Sequence, residues 1–254
     1  MPYSWRVSYC IEYLNYSTMI PKLVTFDCAE TMVRVPDNWS IGTFAVDCAR
    51  HIGLKPSQED GLLYLSMYRA KLPEFVEVNR SRDAGQQQMF WSRLALEWLK
   101  ATGQPIGTLG ALQLAADELG FGPDSILFKL YDDVVPCLNR LDSMGIKAAV
   151  VSNWDYSLHR VLKMFGIYER FVVVKASLEE GIEKPDPRLF EMTIAEAGFA
   201  SWETVHVGDD RVDDFEGAEA AGLKALLIDR SLIGPVRPFI HSLADLPEAF
   251  DWID

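Results

Sequence analysis

The chain has 254 residues, 49% hydrophobic and 24% charged, which is enough to build one large domain, or a domain carrying an insertion, around a packed core. A net charge of −13 argues against a duplex nucleic-acid binder, which needs a basic face, and matches a well-solvated acidic surface. Four cysteines (10, 28, 48, 137) form no C-x-x-C pair and four histidines (51, 159, 206, 241) form no H-x-x-x-H pair, so neither zinc nor dithiol chemistry is expected, and the scattered thiols fit a reducing, cytoplasmic compartment.

Residues 1–20, MPYSWRVSYCIEYLNYSTMI, are aromatic and interrupted by polar residues. They lack the apolar centre of a secretory signal and read as an N-terminal extension ahead of the fold. A short apolar run at 22–26 is the first predicted strand. Helical periodicity follows at 39–53, 57–79, 86–100 and 108–119, separated by the loop signals GLKPS, SRDAG and ATGQPIG. A helix over about 126–144 leads into the next strand, 146–151. From there strands at 171–174, 204–207 and 224–228 alternate with helices at 155–165, 187–197 and 214–221. This alternation predicts an α/β fold: a Rossmann-like parallel sheet with flanking helices, plus an all-α cap inserted after the first strand. The expected division is a core of 21–35 and 126–254 and a cap of 36–125. No stretch is apolar for long enough to span a membrane.

In an open parallel sheet, ligands bind outside the carboxyl ends of the strands. Asp27 ends the first strand. A carboxylate there attacks a phosphoryl group or caps the next turn. Ser152-Asn153 follows the second strand, where a hydroxyl and loop N–H groups hold phosphoryl oxygens or cap the helix that follows. Lys184 lies in GIEKPDPRLF, with Asp186 as expected N-cap and Pro187 at the first helical position. Its ammonium is placed to neutralise an attacking carboxylate and a phosphate, or is a surface lysine. The segment HVGDDRVDDFEGAEAAG, 206–222, carries aspartates at 209, 210, 213 and 214. Acids this dense repel one another unless a cation sits among them, and an all-oxygen site suits Mg²⁺; the alternative is a solvated acidic turn.

The order of these motifs resembles the haloacid dehalogenase (HAD) superfamily over about residues 20–240. The first motif is similar as Asp27-Cys28-Ala29-Glu30-Thr31, the second as Ser152-Asn153 and the third as Lys184-Pro185. The fourth is similar as Gly208-Asp209-Asp210 with Asp214, followed by Gly217-Ala218 and Ala221-Gly222. SNWDYSLHRVLKMFGI and EKPDPRLFE resemble the phosphatase-like branch, and the insertion resembles its helical cap. The resemblance implies Asp27 as nucleophile, with Ser152, Asn153 and Lys184 on the phosphate. It implies Mg²⁺ held by Asp27, the Ala29 backbone carbonyl and Asp209, with Asp210 or Asp214 nearby. The substrate would be a small phosphorylated molecule, met by a monomer or homodimer without nucleic acid or membrane.

One position departs from the pattern. Where the family's phosphatases have a second aspartate, which protonates the leaving oxygen and later deprotonates water, this chain has Ala29. Glu30 stands beside it, where glycine is usual. Three outcomes are open: a phosphatase limited by the missing acid or rescued by Glu30 or a cap residue, a phosphonatase, or a silent binder. Phosphonoacetaldehyde hydrolases also have Asp-x-Ala, but use a cap lysine, for which Lys55 and Lys71 are the candidates. Haloacid dehalogenation needs no metal, and the acids at 209–214 argue against it. Trp39, Phe90, Trp91 and Trp98 are expected to line the cap cavity or fill the cap core.

Overall fold

The computed structural model describes residues 20–252, so the extension expected at 1–20 lies, apart from Ile20, outside the described residues. The strands are β1 (Leu23–Phe26), β2 (Val33–Arg34), β3 (Lys129–Leu130), β4 (Lys147–Ser152), β5 (Phe171–Ala176), β6 (Thr204–Gly208), β7 (Lys224–Ile228) and β8 (Phe239–Ile240). The helices are α1 (Ile41–His51), α2 (Gln58–Ala70), α3 (Leu72–Ser81), α4 (Ala84–Ala101), α5 (Leu109–Phe121), α6 (Val134–Ser143), α7 (Ser157–Met164), α8 (Ser177–Glu180), α9 (Pro187–Ala197), α10 (Gly217–Ala220) and α11 (Leu246–Ala249).

Six strands form one parallel sheet in the order β5-β4-β1-β6-β7-β8. Successive side chains on a strand point to opposite faces. Val24 and Phe26 therefore join one apolar cluster, while Leu23, Ala149, Val151 and Val173 meet Leu189, Phe190 and Ile194 of α9 on the other face. Both faces are covered, which is why these strands read as continuous apolar runs rather than alternating ones. Phe26 lies opposite Val150 on β4 and Val207 on β6. That register brings Asp27, Ser152 and Gly208-Asp209 out at the same edge.

The helices α1–α5 form the cap. Ser40, Ser57 and Asp83 cap α1, α2 and α4 through their side-chain oxygens. Where α1 crosses α2 the backbones touch, and a Cβ on Gly42 would sit 2.1 Å from the Gly61 carbonyl oxygen. Phe75, Phe90 and Trp98 are fully buried in the cap interior, and Trp98 donates its indole N–H to the Asp60 carbonyl at 2.7 Å. Phe90 and Trp98 are therefore cap core rather than cavity lining, whereas Trp39 is exposed and Trp91 half-buried. The cap meets the sheet domain through hydrogen bonds: Asn79 Oδ1 accepts from the Tyr156 N–H at 2.9 Å, Trp91 donates to the Tyr156 hydroxyl at 3.1 Å, and Arg160 donates to Asp117 at 2.8 Å.

Several elements differ from the sequence expectation. The helix expected at 57–79 is two helices, because Pro73 falls in the first turn of α3, where its missing N–H and fixed φ start a helix rather than continue one. The helix expected over about 126–144 begins only at Val134. Its first part contains β3, which pairs antiparallel with β2, a partner almost a hundred residues away that local periodicity cannot show. The edge strand β8 went unread because two residues carry no pattern. In addition, the acidic stretch after β6 winds as a π-helical turn over Arg211–Glu216 before α10, so the helical structure starts earlier than 214.

Candidate active site

Asp27 leaves the buried strand LVTF and is itself 6% exposed. Its Oδ1 accepts from the Ser152 hydroxyl at 3.0 Å and from the Lys184 ammonium at 2.5 Å. Both bonds fall on one oxygen, which leaves Oδ2 to meet a ligand. Lys184 also donates to Asp214 Oδ1. It is held just ahead of α9, whose first turn is set by Pro187 and capped by Asp186 accepting from the Arg188 N–H at 3.0 Å. Asn153 fixes the lysine's backbone: its Oδ1 accepts from Lys184 N at 2.8 Å and its Nδ2 donates to Lys184 O at 3.0 Å. Asn153 is thus engaged in placing Lys184, and Ser152 hydrogen-bonds Asp27 rather than capping α7.

Asp214 is buried and comes close to the sheet edge only because residue 208 is glycine. A Cβ there would lie 2.1 Å from the Asp214 carboxyl carbon. Asp214 Oδ2 accepts from Asp210 N at 3.0 Å, and Oδ1 hydrogen-bonds His206 Nε2 at 3.1 Å. His206 in turn meets the Thr25 hydroxyl through Nδ1 at 2.9 Å. Asp209 accepts from the Thr31 hydroxyl at 3.2 Å. Carboxylate oxygens of Asp27, Asp209 and Asp214 all lie within 4.8 Å of one another. Asp210 stands apart from this group, because its carboxylate caps the π-helical turn, accepting from the N–H groups of Val212 and Asp213 at 2.7 Å each. Asp213 accepts from Asn153 at 3.1 Å.

The electrostatics of the cluster are unbalanced. Burial alone would lower the Lys184 ammonium, but Asp27 and Asp214 outweigh it and hold it well above the usual lysine range. Burial likewise raises Asp214, but His206 and Lys184 overcome it and hold this carboxyl far below the usual range; Asp214 is the ionised partner of the lysine. Asp27 goes the other way: burial pushes it up, Lys184 offsets this in part, and Asp214 adds to the push. Burial, then Asp27 and Asp214, push Asp209 up to about 7. Asp209 keeps an exposed face, where water screens part of that effect. Three carboxylates thus face one ammonium, an excess that matches a divalent cation. The donors are hard oxygens, close enough to share one ion, so the residues present fit such a group.

At the first motif, the Ala29 carbonyl accepts from Thr31 N at 2.6 Å, and one lone pair remains for a ligand. Ala29 offers only a methyl group. Glu30 does not turn toward the cluster: its Oε1 accepts from Val35 N at 2.9 Å and its Oε2 from the Tyr131 hydroxyl at 2.8 Å. The two cap lysines are also elsewhere. Lys71 pairs with Glu97 of α4 at 3.2 Å, and Lys55 lies exposed between α1 and α2. Sequence reasoning missed Thr25, Thr31 and His206. The signal available was alternation: Thr25 and His206 are polar residues inside otherwise apolar strands, directly opposite each other in register.

A family model described as haloacid dehalogenase-like hydrolase matches residues 21–222. Among curated proteins, haloacid dehalogenase-like hydrolase domain-containing protein 3 of Mus musculus is 28% identical over 211 residues, covering 82% of this chain and 81% of that protein. The phosphoserine phosphatase of Thermus thermophilus is 37% identical over 106 residues, but covers only 41% of this chain and 43% of its own. Among solved structures, a 2-haloacid dehalogenase from Pseudomonas syringae superposes with a TM-score of 0.60 at 23% identity, covering 90% of this chain and 97% of that one. A HAD phosphatase from Thermococcus onnurineus superposes with a TM-score of 0.55 at 21% identity, covering 89% and 96%. Neighbours with two different chemistries share the fold, so the choice between them rests on the side chains.

Proposed function

The chain belongs to the haloacid dehalogenase-like hydrolases, and from that membership we propose that it is a Mg²⁺-dependent phosphatase of small phosphate monoesters, working through Asp27. The observation that carries the reading is the trio of carboxylates, Asp27, Asp209 and Asp214, gathered about Lys184 at the sheet edge. A dehalogenating site has no need of that excess of negative charge. The family membership makes the protein a hydrolase; the phosphatase chemistry is favoured by the cluster and by relatives named as phosphatases over part of the chain.

In this reading the Asp27 carboxylate attacks the phosphorus and forms an aspartyl phosphate, expelling the alcohol oxygen, and water then cleaves the intermediate. Lys184 and Ser152 orient the nucleophile through Oδ1 and lie within reach of the phosphoryl oxygens. Asn153 keeps Lys184 in place, and the buried pair Thr25–His206 keeps Asp214 aimed at the cluster. Asp27, Asp209, Asp214 and the Ala29 carbonyl would hold Mg²⁺, with Asp210 anchoring the turn. When bound, the ion supplies charge neutralisation between nucleophile and phosphate.

Proton transfer is what this site lacks. Ala29 carries no acid and Glu30 is committed to Val35 and Tyr131. Substrates whose leaving oxygen departs without a proton should therefore be preferred. A turnover screen with and without Mg²⁺, over p-nitrophenyl phosphate, alkyl phosphates, phosphonoacetaldehyde and haloacids, tests the proposal. Mg²⁺-dependent release of phosphate from the aryl ester is the expected result. Turnover of a haloacid without metal, or of phosphonoacetaldehyde alone, overturns it.

A further inference from the structure

Glu30 occupies the place beside the missing acid, and its surroundings give it other work. It sits at φ 53°, a conformation that glycine adopts freely and a long side chain rarely does. Its carboxylate joins the two linkers that connect cap and sheet domain. One oxygen accepts from Val35 N in the first linker, the other from the Tyr131 hydroxyl in the second. Between them β2 and β3 pair across the same junction.

Arg230, which follows β7, completes the arrangement. It donates to the carbonyls of Glu30 at 3.3 Å and Thr31 at 2.6 Å, and forks onto Asp133 at 2.8 and 3.2 Å. Its guanidinium lies 3.6 Å from the centre of the Tyr131 ring. Asp133, just ahead of α6, also accepts from the Ser242 hydroxyl at 2.7 Å and Leu243 N at 3.0 Å. The motif turn, both linkers and the C-terminal segment are thereby tied into one network. Burial and then the bond to Glu30 push the Tyr131 hydroxyl up to about 12, so it remains a donor. Burial raises Asp133, but Arg230, Ser242 and the Leu243 N–H outweigh it and keep the carboxyl below its usual range.

We propose that Glu30, together with Tyr131 and Arg230, is a positioning brace that fixes the cap linkers in the arrangement seen here and so sets how firmly the site retains its substrate, without taking part in proton transfer. The effect on substrate rests on the phosphatase reading; the effect on the linkers does not. A residue that only stabilised its own turn would not need both carboxylate oxygens on opposite linkers.

Glu30→Gly separates the two roles, because glycine suits the backbone at this position while the brace disappears. Amide hydrogen exchange over 33–35 and 129–132 should accelerate about tenfold or more as two hydrogen bonds to a charged group are lost, while the thermal midpoint stays level or rises. KM for p-nitrophenyl phosphate should rise several-fold with kcat nearly unchanged. Glu30→Gln, which keeps an acceptor and a donor at the same place, should restore most of both, and Tyr131→Phe should accelerate exchange mainly at 129–132. Linker exchange equal to wild type in both Glu30→Gly and Tyr131→Phe overturns the brace. So does a fall in kcat with KM unchanged, which would make Glu30 a proton-transfer group. If no phosphate ester is turned over at all, the function fails while the exchange measurement still decides the brace.

Discussion

Restoring a carboxylate at position 29 is the sharpest test of how this site works. Ala29 stands two residues after Asp27 and is only half-buried, so the larger side chain of Ala29→Asp has room. Its backbone is fixed by the Thr31 N–H and by a bridge to Val33, so the substitution changes chemistry more than geometry. General acid–base help is worth about 10²–10⁴-fold. The new carboxylate would join three others sharing a single lysine, and that repulsion raises its affinity for a proton, as a general acid requires. The same repulsion leaves less of it deprotonated and ready to take a proton from water in the second step, so the gain should sit near the lower bound, about 10²-fold, and appear on alkyl phosphates. An aryl phosphate leaves as a stabilised anion and should gain little. Steady-state phosphate release from p-nitrophenyl phosphate and from a simple alkyl phosphate, in both proteins with Mg²⁺, measures the gap. An initial burst in the wild type, shortened in the variant, would report an accumulating aspartyl phosphate. Wild-type protein that hydrolyses both classes at similar rates would refute the reasoning, because some other group would then already supply the proton.

Lys184→Met removes the ammonium between two buried carboxylates. It should abolish turnover and cost about 3–5 kcal/mol in metal-free denaturant titrations above neutral pH, with a smaller loss in mild acid, where a carboxyl takes up a proton instead. Asp209, pushed up to about 7, must lose its proton before it ligates a cation. Calorimetric Mg²⁺ affinity should therefore rise with pH up to about that value and level off above it, with proton release on binding; affinity independent of pH across this range would remove Asp209 from the ligand set. The same raised value makes Asp209 favour the metal-free fold in acid and lose that contribution as pH climbs toward 7. Gly208→Ala drives a methyl group into the Asp214 carboxyl, so it should weaken Mg²⁺ binding and destabilise the protein by about 1–3 kcal/mol; a variant with native metal affinity would show that Asp214 is not held by this contact.

The sequence carried the sheet because buried parallel strands are local apolar runs, and it carried Asp27, Ser152, Lys184, Asp209 and Asp214 because each stands within a few residues of a strand end or a helix start. Contacts formed between distant segments were not legible. The pairing of β2 with β3, the opposition of Thr25 and His206, and the bonds from Glu30 to Tyr131 depend on register and on side-chain direction, which linear spacing does not encode. Asp209 and Asp210 show the same limit at one-residue resolution: adjacent and chemically identical, one faces the cluster while the other, in extended conformation at the start of the π-helical turn, caps that turn. Glu30 is the most consequential case. It is the carboxylate next to the missing aspartate, although its side chain starts one residue later than that aspartate's would. Yet a residue held at positive φ projects its side chain differently from its neighbours, and here that projection leads to the linkers. Proximity in sequence to a lost catalytic group therefore gives no presumption of replacement: the replacement must have its side chain free, and both oxygens of Glu30 are already taken.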